Sequence, residues 1–263
     1  MRYKIYYSCF SHIGKVRRVN QDNFICNNQY LNLTDPPMEA PLYGIKKSSE
    51  NAVFGIFDGM GGEECGEVAA YLASKAASAI DLGRNPAYAL AQFCYSANDD
   101  ICAYAESNGI SSMGTTAAML AFAKNEIILC NIGDSKVFRF CNGVAEQISK
   151  DHTSISAYGT KPPLYQSLGI PTDEMIIDPY LARGEYHDGD LFLICSDGLT
   201  DMVSLPEITR VLCTTSMKDS IKVLFEKALA KGGRDNITII LCKIQRQSDS
   251  ILDRLCFRKR KGE

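Results

Sequence analysis

A series of short β-rich runs, each bounded by turn residues and several ending in an aspartate beside glycine or serine, most constrains what this chain can fold into. The runs are Lys4 to Phe10, Asn23 to Cys26, Ala52 to Phe57, Thr116 to Phe122, Ile127 to Ile132, Val137 to Phe140, Leu191 to Cys195 and Ile237 to Ile244. Strands of this length need partners, and the connections are tight. Lys124-Asn125-Glu126 separates two runs, and Asn142-Gly143 supplies residues that tolerate positive φ in a two-residue hairpin turn. Antiparallel pairing is expected.

Helical periodicity interrupts the runs in two blocks. The first spans Glu63 to about Asn108, where Leu90, Phe93, Ala97, Ile101 and Tyr104 share one face, Pro86 opens a second helix and Gly109 closes it. The later block opens at Ser204-Leu205-Pro206-Glu207 and again at Ser216-Met217-Lys218-Asp219, both resembling capping boxes, and closes at Gly232-Gly233. Neighbouring strands with helices inserted in pairs predict an α+β chain of two packed sheets flanked by helices. Proline-bearing stretches from Asn27 to Asn51 and from Tyr158 to Asp178 read as loops. With no repeat or linker, one domain is expected.

Composition narrows the function classes. At 263 residues, 46% hydrophobic, 22% charged and net charge −3, the chain has the profile of a globular protein without a nucleic-acid footprint. Eleven cysteines form no Cys-x-x-Cys pair, and Cys130, Cys195 and Cys242 sit inside apolar runs, as free thiols do in a reducing compartment. The three histidines, His12, His152 and His187, lack zinc-ligand spacing and read as structural. Met1 to Phe10 lacks an apolar stretch of signal-peptide or membrane-span length, so a cytoplasmic location is expected.

The aspartates point to chemistry. Asp58, Asp134 and Asp197 end apolar runs, Asp235 precedes the last one, and Asp22 precedes Asn23 to Cys26. Each alone is an ordinary turn residue. Gathered at one end of a sandwich they would repel by about 4 kcal/mol per pair at about 4 Å, so the cluster calls for protonation or cations. Oxygen-only donors suit Mg²⁺, Mn²⁺ or Ca²⁺.

Taken in order, the motifs resemble those of the type 2C (PPM) metal-dependent serine/threonine protein phosphatases over roughly residues 8 to 244. They are Gly14 to Asn23, Phe57-Asp58-Gly59-Met60-Gly61-Gly62, Met113-Gly114-Thr115-Thr116, Gly133-Asp134-Ser135-Lys136, Lys150-Asp151-His152-Thr153, Ser196 to Asp201, and Arg234-Asp235-Asn236. The resemblance implies a four-layer αββα sandwich and hydrolysis of phosphoserine or phosphothreonine by a metal-activated water, without a phosphoenzyme. It implies two Mn²⁺ or Mg²⁺ ions, with Asp58 bridging them, the Gly59 carbonyl on one, Asp197 with Asp235 on the other, and Asp22 acting through bound water. A third ion is implied between Asp134 and Asp197. Arg17, rather than its neighbour Arg18, matches the arginine that grips the substrate phosphate, and no cysteine is essential.

Three departures stand out. Met60 stands where many members carry histidine, a form resembling the bacterial branch, Gln21 replaces glutamate, and the flap between Asp151 and Gly169 is short. The expected boundaries are a catalytic domain over 1–245 and a basic tail over 246–263. Expected partners are phosphoserine and phosphothreonine proteins and a cognate serine/threonine kinase, with no nucleic acid, no transmembrane segment and a monomeric state. Two competitors are weaker: a dead scaffold would lose metal aspartates that are all present, and a nucleotide site would need a Gly-Lys-Ser/Thr signature that is absent.

Overall fold

The central strands read as continuous apolar runs because both of their faces are covered, one by the opposite sheet and one by helices. A computed structural model describes residues 3–60, 65–123, 126–155 and 162–247. In chain order the elements are β1 (Tyr3–His12), β2 (Asp22–Cys26), β3 (Leu42–Lys47), β4 (Ala52–Met60), α1 (Gly66–Ser78), α2 (Pro86–Asn108), β5 (Gly114–Thr115), β6 (Ala117–Ala123), β7 (Glu126–Ile132), β8 (Lys136–Cys141), β9 (Val144–Gln147), β10 (Tyr180–Glu185), β11 (Leu191–Cys195), α3 (Asp197–Thr200), α4 (Leu205–Thr214), α5 (Met217–Ala230) and β12 (Ile237–Arg246). One sheet runs β3-β1-β12-β11-β8-β9, the other β10-β7-β6-β4-β2 with β5 appended to β4. The strand pairs are antiparallel.

Phe54, Phe122, Phe192, Ile194 and Ile240 fill the space between the sheets, with Phe122 meeting Phe54 and Phe192 edge-on at 5.8 Å. Each fully buried side chain of this size contributes about 2 kcal/mol by leaving water. Outside one sheet, α1 and α2 pack through Ala69, Ala73, Leu90, Ala97 and Ile101. The alanines of α1 let it approach β4 closely. Outside the other, Leu199, Ile208, Ile221 and Leu224 bring α3, α4 and α5 against β11 and β12. The result is the expected four-layer α+β sandwich.

Local signals perform as expected in most places. Asn142 and Gly143 take φ values of 51° and 79° in the β8–β9 hairpin, and Ala123 pairs with Glu126 where β6 meets β7. Asn85 caps α2 ahead of Pro86, and Gly109 ends it in the left-handed region. Glu207 accepts from the backbone and hydroxyl of Ser204, and Ser216 accepts from the Asp219 amide. Glu63, expected to open the first helix, lies outside the described residues, and α1 begins at Gly66.

Two expectations need correction. Residues 27–51 are not all loop, because Leu42–Lys47 forms β3 against β1. A partner backbone, rather than local apolar content, makes that strand, and its residues alternate between half-buried and exposed. Its lysines at positions 46 and 47 suit an edge strand. The boundary at 245 falls inside β12, which continues to Arg246. The basic stretch from Phe257 to Lys261 lies outside the described residues.

A buried side chain on α2 fixes the segment that follows the flap. Asn98 accepts from the amides of Gly169 and Ile170 at 2.8 and 3.0 Å and donates to the Ile170 carbonyl at 2.9 Å. Asn98→Ala leaves these groups unpaired and is expected to cost about 2–4 kcal/mol in urea unfolding, with the Gly169 and Ile170 amides exchanging faster. An unchanged midpoint would show that the clamp carries no stability.

Candidate active site

Asp22 and Asp58 sit directly opposite each other in the β2–β4 ladder, a placement that like charges disfavour. The two are handled differently. Asp22 is buried, and its Oδ2 accepts from Ser196 Oγ at 2.8 Å and Thr238 Oγ1 at 2.6 Å. Burial pushes its pKa up to about 6 against the opposing pull of these hydroxyls. Because Ser196 follows β11 and Thr238 lies in β12, this carboxyl pins one sheet to the other.

Asp58 lies near the end of β4, at the rim of the same seam. Its amide donates to Thr116 Oγ1 at 3.1 Å, and that oxygen lies 2.7 Å from Ser135 Oγ, so the turn carrying Asp134 is tied to the strand carrying Asp58. His152 Nδ1 accepts from the Gly133 amide at 3.1 Å, and burial lowers its pKa, which keeps it neutral for that role. Gly59 must be glycine. A Cβ there would stand 2.2 Å from the Gly66 carbonyl oxygen and 2.5 Å from that of Gln21.

Asp197 opens α3, and the next residue lies so close to Asn236 that a Cβ on Gly198 would meet the Asn236 carbonyl oxygen at 1.9 Å. Asn236 is a hub. Its Oδ1 accepts from the Gln21 amide, and its Nδ2 donates to the carbonyls of Ile13 and Val19, fixing the loop that carries Arg17. Arg17 Nη2 in turn reaches Asp235 Oδ2 at 2.7 Å, and this pairing, with Asp58 and Asp22 nearby, raises the guanidinium's pKa.

Arg17, Asp58, Gly59, Asp134, Asp197 and Asp235 thus line one cleft of about 410 Å³. Arg18 does not. It lines a separate depression together with Asp22, which lies behind the cleft rather than in its wall. A larger groove of about 730 Å³ runs beside β3 and the end of β12, but among the described residues it holds a single carboxylate, Asp188, so volume alone does not select the reactive site.

The cleft's donors fit hard divalent cations: among the described residues they are carboxylates and a backbone carbonyl, without thiolate or imidazole. Among the described residues no three acidic, cysteine or histidine side chains converge on one point. Ions that keep part of their water shell and take one or two carboxylates suit such spacing, as Mg²⁺ does. Sequence reasoning identified the aspartates but gave no part to Ser196, Thr238, Thr116 or Asn236. Ser196 and Asn236 each adjoin a named aspartate in sequence, a signal that could have found them, whereas Thr116 and Thr238 carry no such mark.

The sandwich and its acidic cleft define a four-layer protein with a metal-type site where strand ends from both sheets meet. Residues 42–241 match the sequence family described as protein phosphatase 2C, and the chain belongs to that family. It is 30% identical over 220 residues to the serine/threonine protein phosphatase PstP of Mycobacterium tuberculosis, covering 76% of this chain but only 43% of that protein. It thus spans less than half the length of this relative. Against the serine/threonine phosphatase stp of Listeria monocytogenes it is 28% identical, covering 87% of this chain and 91% of that one. A crystal structure of M. tuberculosis PstP superposes with a TM-score of 0.77 at 28% identity, covering 92% of this chain and all of that one.

The state of Asp22 sets a pH dependence for the metal-free protein. Its folded value of about 6 exceeds the ordinary 3.8, so between the two the folded chain holds a proton that the unfolded chain has lost. Stability from this group is therefore complete below about pH 4 and falls by about 2–3 kcal/mol as pH rises through about 6. Asp22→Asn should flatten that fall in denaturant titrations of the metal-free protein. Parallel pH curves for variant and wild type would contradict the assignment.

Proposed function

We propose that the chain is a protein-serine/threonine phosphatase that hydrolyses phosphoserine and phosphothreonine esters with Mn²⁺ or Mg²⁺. The observation that carries this reading is that the candidate phosphate-gripping arginine and the candidate metal aspartates share one cleft. Asp58 with the Gly59 carbonyl on one side, and Asp197 with Asp235 on the other, would hold two ions, with Asp134 available to a third. A PstP catalytic domain with 28% identity to this chain has been crystallised with two manganese ions, which supports that number. Bound there, such ions lower the pKa of water toward neutrality and offset charge on the phosphoryl oxygens.

The chain's own residues supply the rest. The forked guanidinium of Arg17 matches phosphoryl oxygens. Its pairing with Asp235 is half exposed on the arginine side, and such a pair is worth about 1 kcal/mol or less, so turning toward a phosphate costs little. Met60, in the cleft wall, has no proton to give, so the leaving alkoxide takes its proton from water or another group. Cysteine chemistry is disfavoured, since burial pushes Cys195, one residue before Ser196 of the site, up to about 12 and raises the thiols of Cys9 and Cys242, while a hydrogen bond with Cys130 together with burial raises Cys94.

The bacterial relatives support a bacterial enzyme, and in this reading it acts as a monomer in the cytoplasm opposite a serine/threonine kinase. Among the described residues no helix is long and apolar enough to cross a membrane. The body up to β12 would be one catalytic domain, with the basic stretch after it a separate tail.

Phosphopeptide hydrolysis should need Mn²⁺ or Mg²⁺, stop on chelation and survive alkylation of accessible thiols; hydrolysis that resists chelation but not alkylation overturns the mechanism. Asp58→Asn keeps the side chain's shape and should lower kcat by more than about 100-fold, beyond the usual effect of residues one step removed from a metal. Near-normal turnover by that variant would reduce Asp58 to a turn residue. Arg17→Ala should raise KM for a phosphopeptide by roughly 10- to 100-fold, the range of a lost charged hydrogen bond, with a smaller fall in kcat. An unchanged KM would shift the phosphate contact to another group.

A further inference from the structure

Met60 is shared between two cavities. It lines the cleft of the aspartates and also a second groove of about 590 Å³, formed where the end of α2 meets β5 and the segment after Leu168. The floor of this groove is apolar, with Ala105, Ile110, Met113 and Ile170, while the exposed Pro171, Glu106 and Glu174 stand on its rim. Among the described residues no lysine, arginine or histidine lines it. Asp99 and Asp173 lie close enough that, with Glu174, they add to the effect of burial in raising the Cys102 thiol's pKa.

The groove is firmly held. Thr115 and Leu168 exchange backbone hydrogen bonds at 3.0 and 2.9 Å, and Asn98 clamps Gly169 and Ile170 from below. Gly169 takes φ of 100°, and a Cβ there would lie 2.3 Å from the Met113 carbonyl oxygen. Only glycine closes this wall.

We propose that this groove is a second substrate subsite, which takes an arginine or lysine close in sequence to the phosphorylated residue of a phosphoprotein. A chain whose phosphoryl group reaches Arg17 and the aspartates, and which then runs past Met60, enters the groove directly. A long basic side chain matches both of its surfaces. The aliphatic stem lies on the apolar floor, and the cation faces the carboxylates of Glu106 and Glu174. An acidic neighbour in the same position meets like charge and is disfavoured. The subsite thus names a substrate class, phosphopeptides with a basic flank, and it rests on the phosphatase reading above.

The test is a set of phosphothreonine peptides in which a single arginine, alanine or glutamate is walked through the flanking positions, assayed with the Mn²⁺-loaded full chain. At one position the wild type should prefer arginine over alanine by about fivefold in kcat/KM and discriminate further against glutamate, in line with a few exposed charge pairs. The preference should shrink as salt is raised. The double variant Glu106→Gln/Glu174→Gln should bring the arginine-to-alanine ratio close to one, and Glu106→Arg/Glu174→Arg should invert the order of arginine and glutamate. Equal wild-type rates on all peptides, or a preference that survives both double variants, would overturn the subsite while leaving the phosphatase reading intact. A wild-type protein that hydrolyses neither these peptides nor p-nitrophenyl phosphate with Mn²⁺ would overturn both.

Discussion

The buried carboxyl of Asp22 is the contact on which the active-site end of the molecule depends. It leaves β2 in one sheet and accepts hydrogen bonds from Ser196 and Thr238, which belong to the ends of β11 and β12 in the other. The network continues outward, since Thr238 Oγ1 is 2.8 Å from Ser11 Oγ and Asn20 Nδ2 donates to Ser11 at 2.9 Å. Apolar packing between the sheets sets their spacing but is non-directional. A hydrogen-bonded carboxyl is directional, and a single one at the seam fixes how strand ends from the two sheets line up.

The reactive groups follow from that alignment. Asp58 on one sheet, with Asp197 and Asp235 at strand ends of the other, come to face one cleft, and close backbone approach at Gly59 and Gly198 leaves little freedom in how they do so. Asn236 then suspends the Arg17 loop over the same opening. Carboxylates gathered in this way are costly by themselves, and Arg17 on Asp235 offsets part of the repulsion. An excess of negative charge remains, which is what makes the cleft fit divalent cations rather than a neutral ligand.

How much of this was legible in the sequence follows from which faces are buried. Central strands such as Ala117–Ala123 are covered on both sides and announce themselves as apolar runs. Three of the strands that sequence reasoning passed over, Leu42–Lys47, Val144–Gln147 and Tyr180–Glu185, lie at sheet edges, where half-buried residues are mixed with exposed ones and pairing rather than hydrophobicity makes the strand. The site divides in the same manner. The resemblance marked out Asp58, Asp134, Asp197, Asp235 and Arg17, and the cleft gathers them. Asp22 was equally visible, yet only the β2–β4 register and the burial of its carboxyl show that it sits behind the cleft holding the sheets together. Ser196, Thr238 and Asn236 act through geometry across more than 170 positions of chain, a distance no local pattern spans.

The central claim is that strand ends from two sheets build one site for a pair of ions sharing the Asp58 carboxylate. Electron paramagnetic resonance of the Mn²⁺-loaded wild-type protein, with the bound metal counted by equilibrium dialysis, tests it most directly. The account predicts two Mn²⁺ per chain and the spectrum of a magnetically coupled pair. Binding of a single ion, or two ions with the spectra of isolated centres, would contradict it.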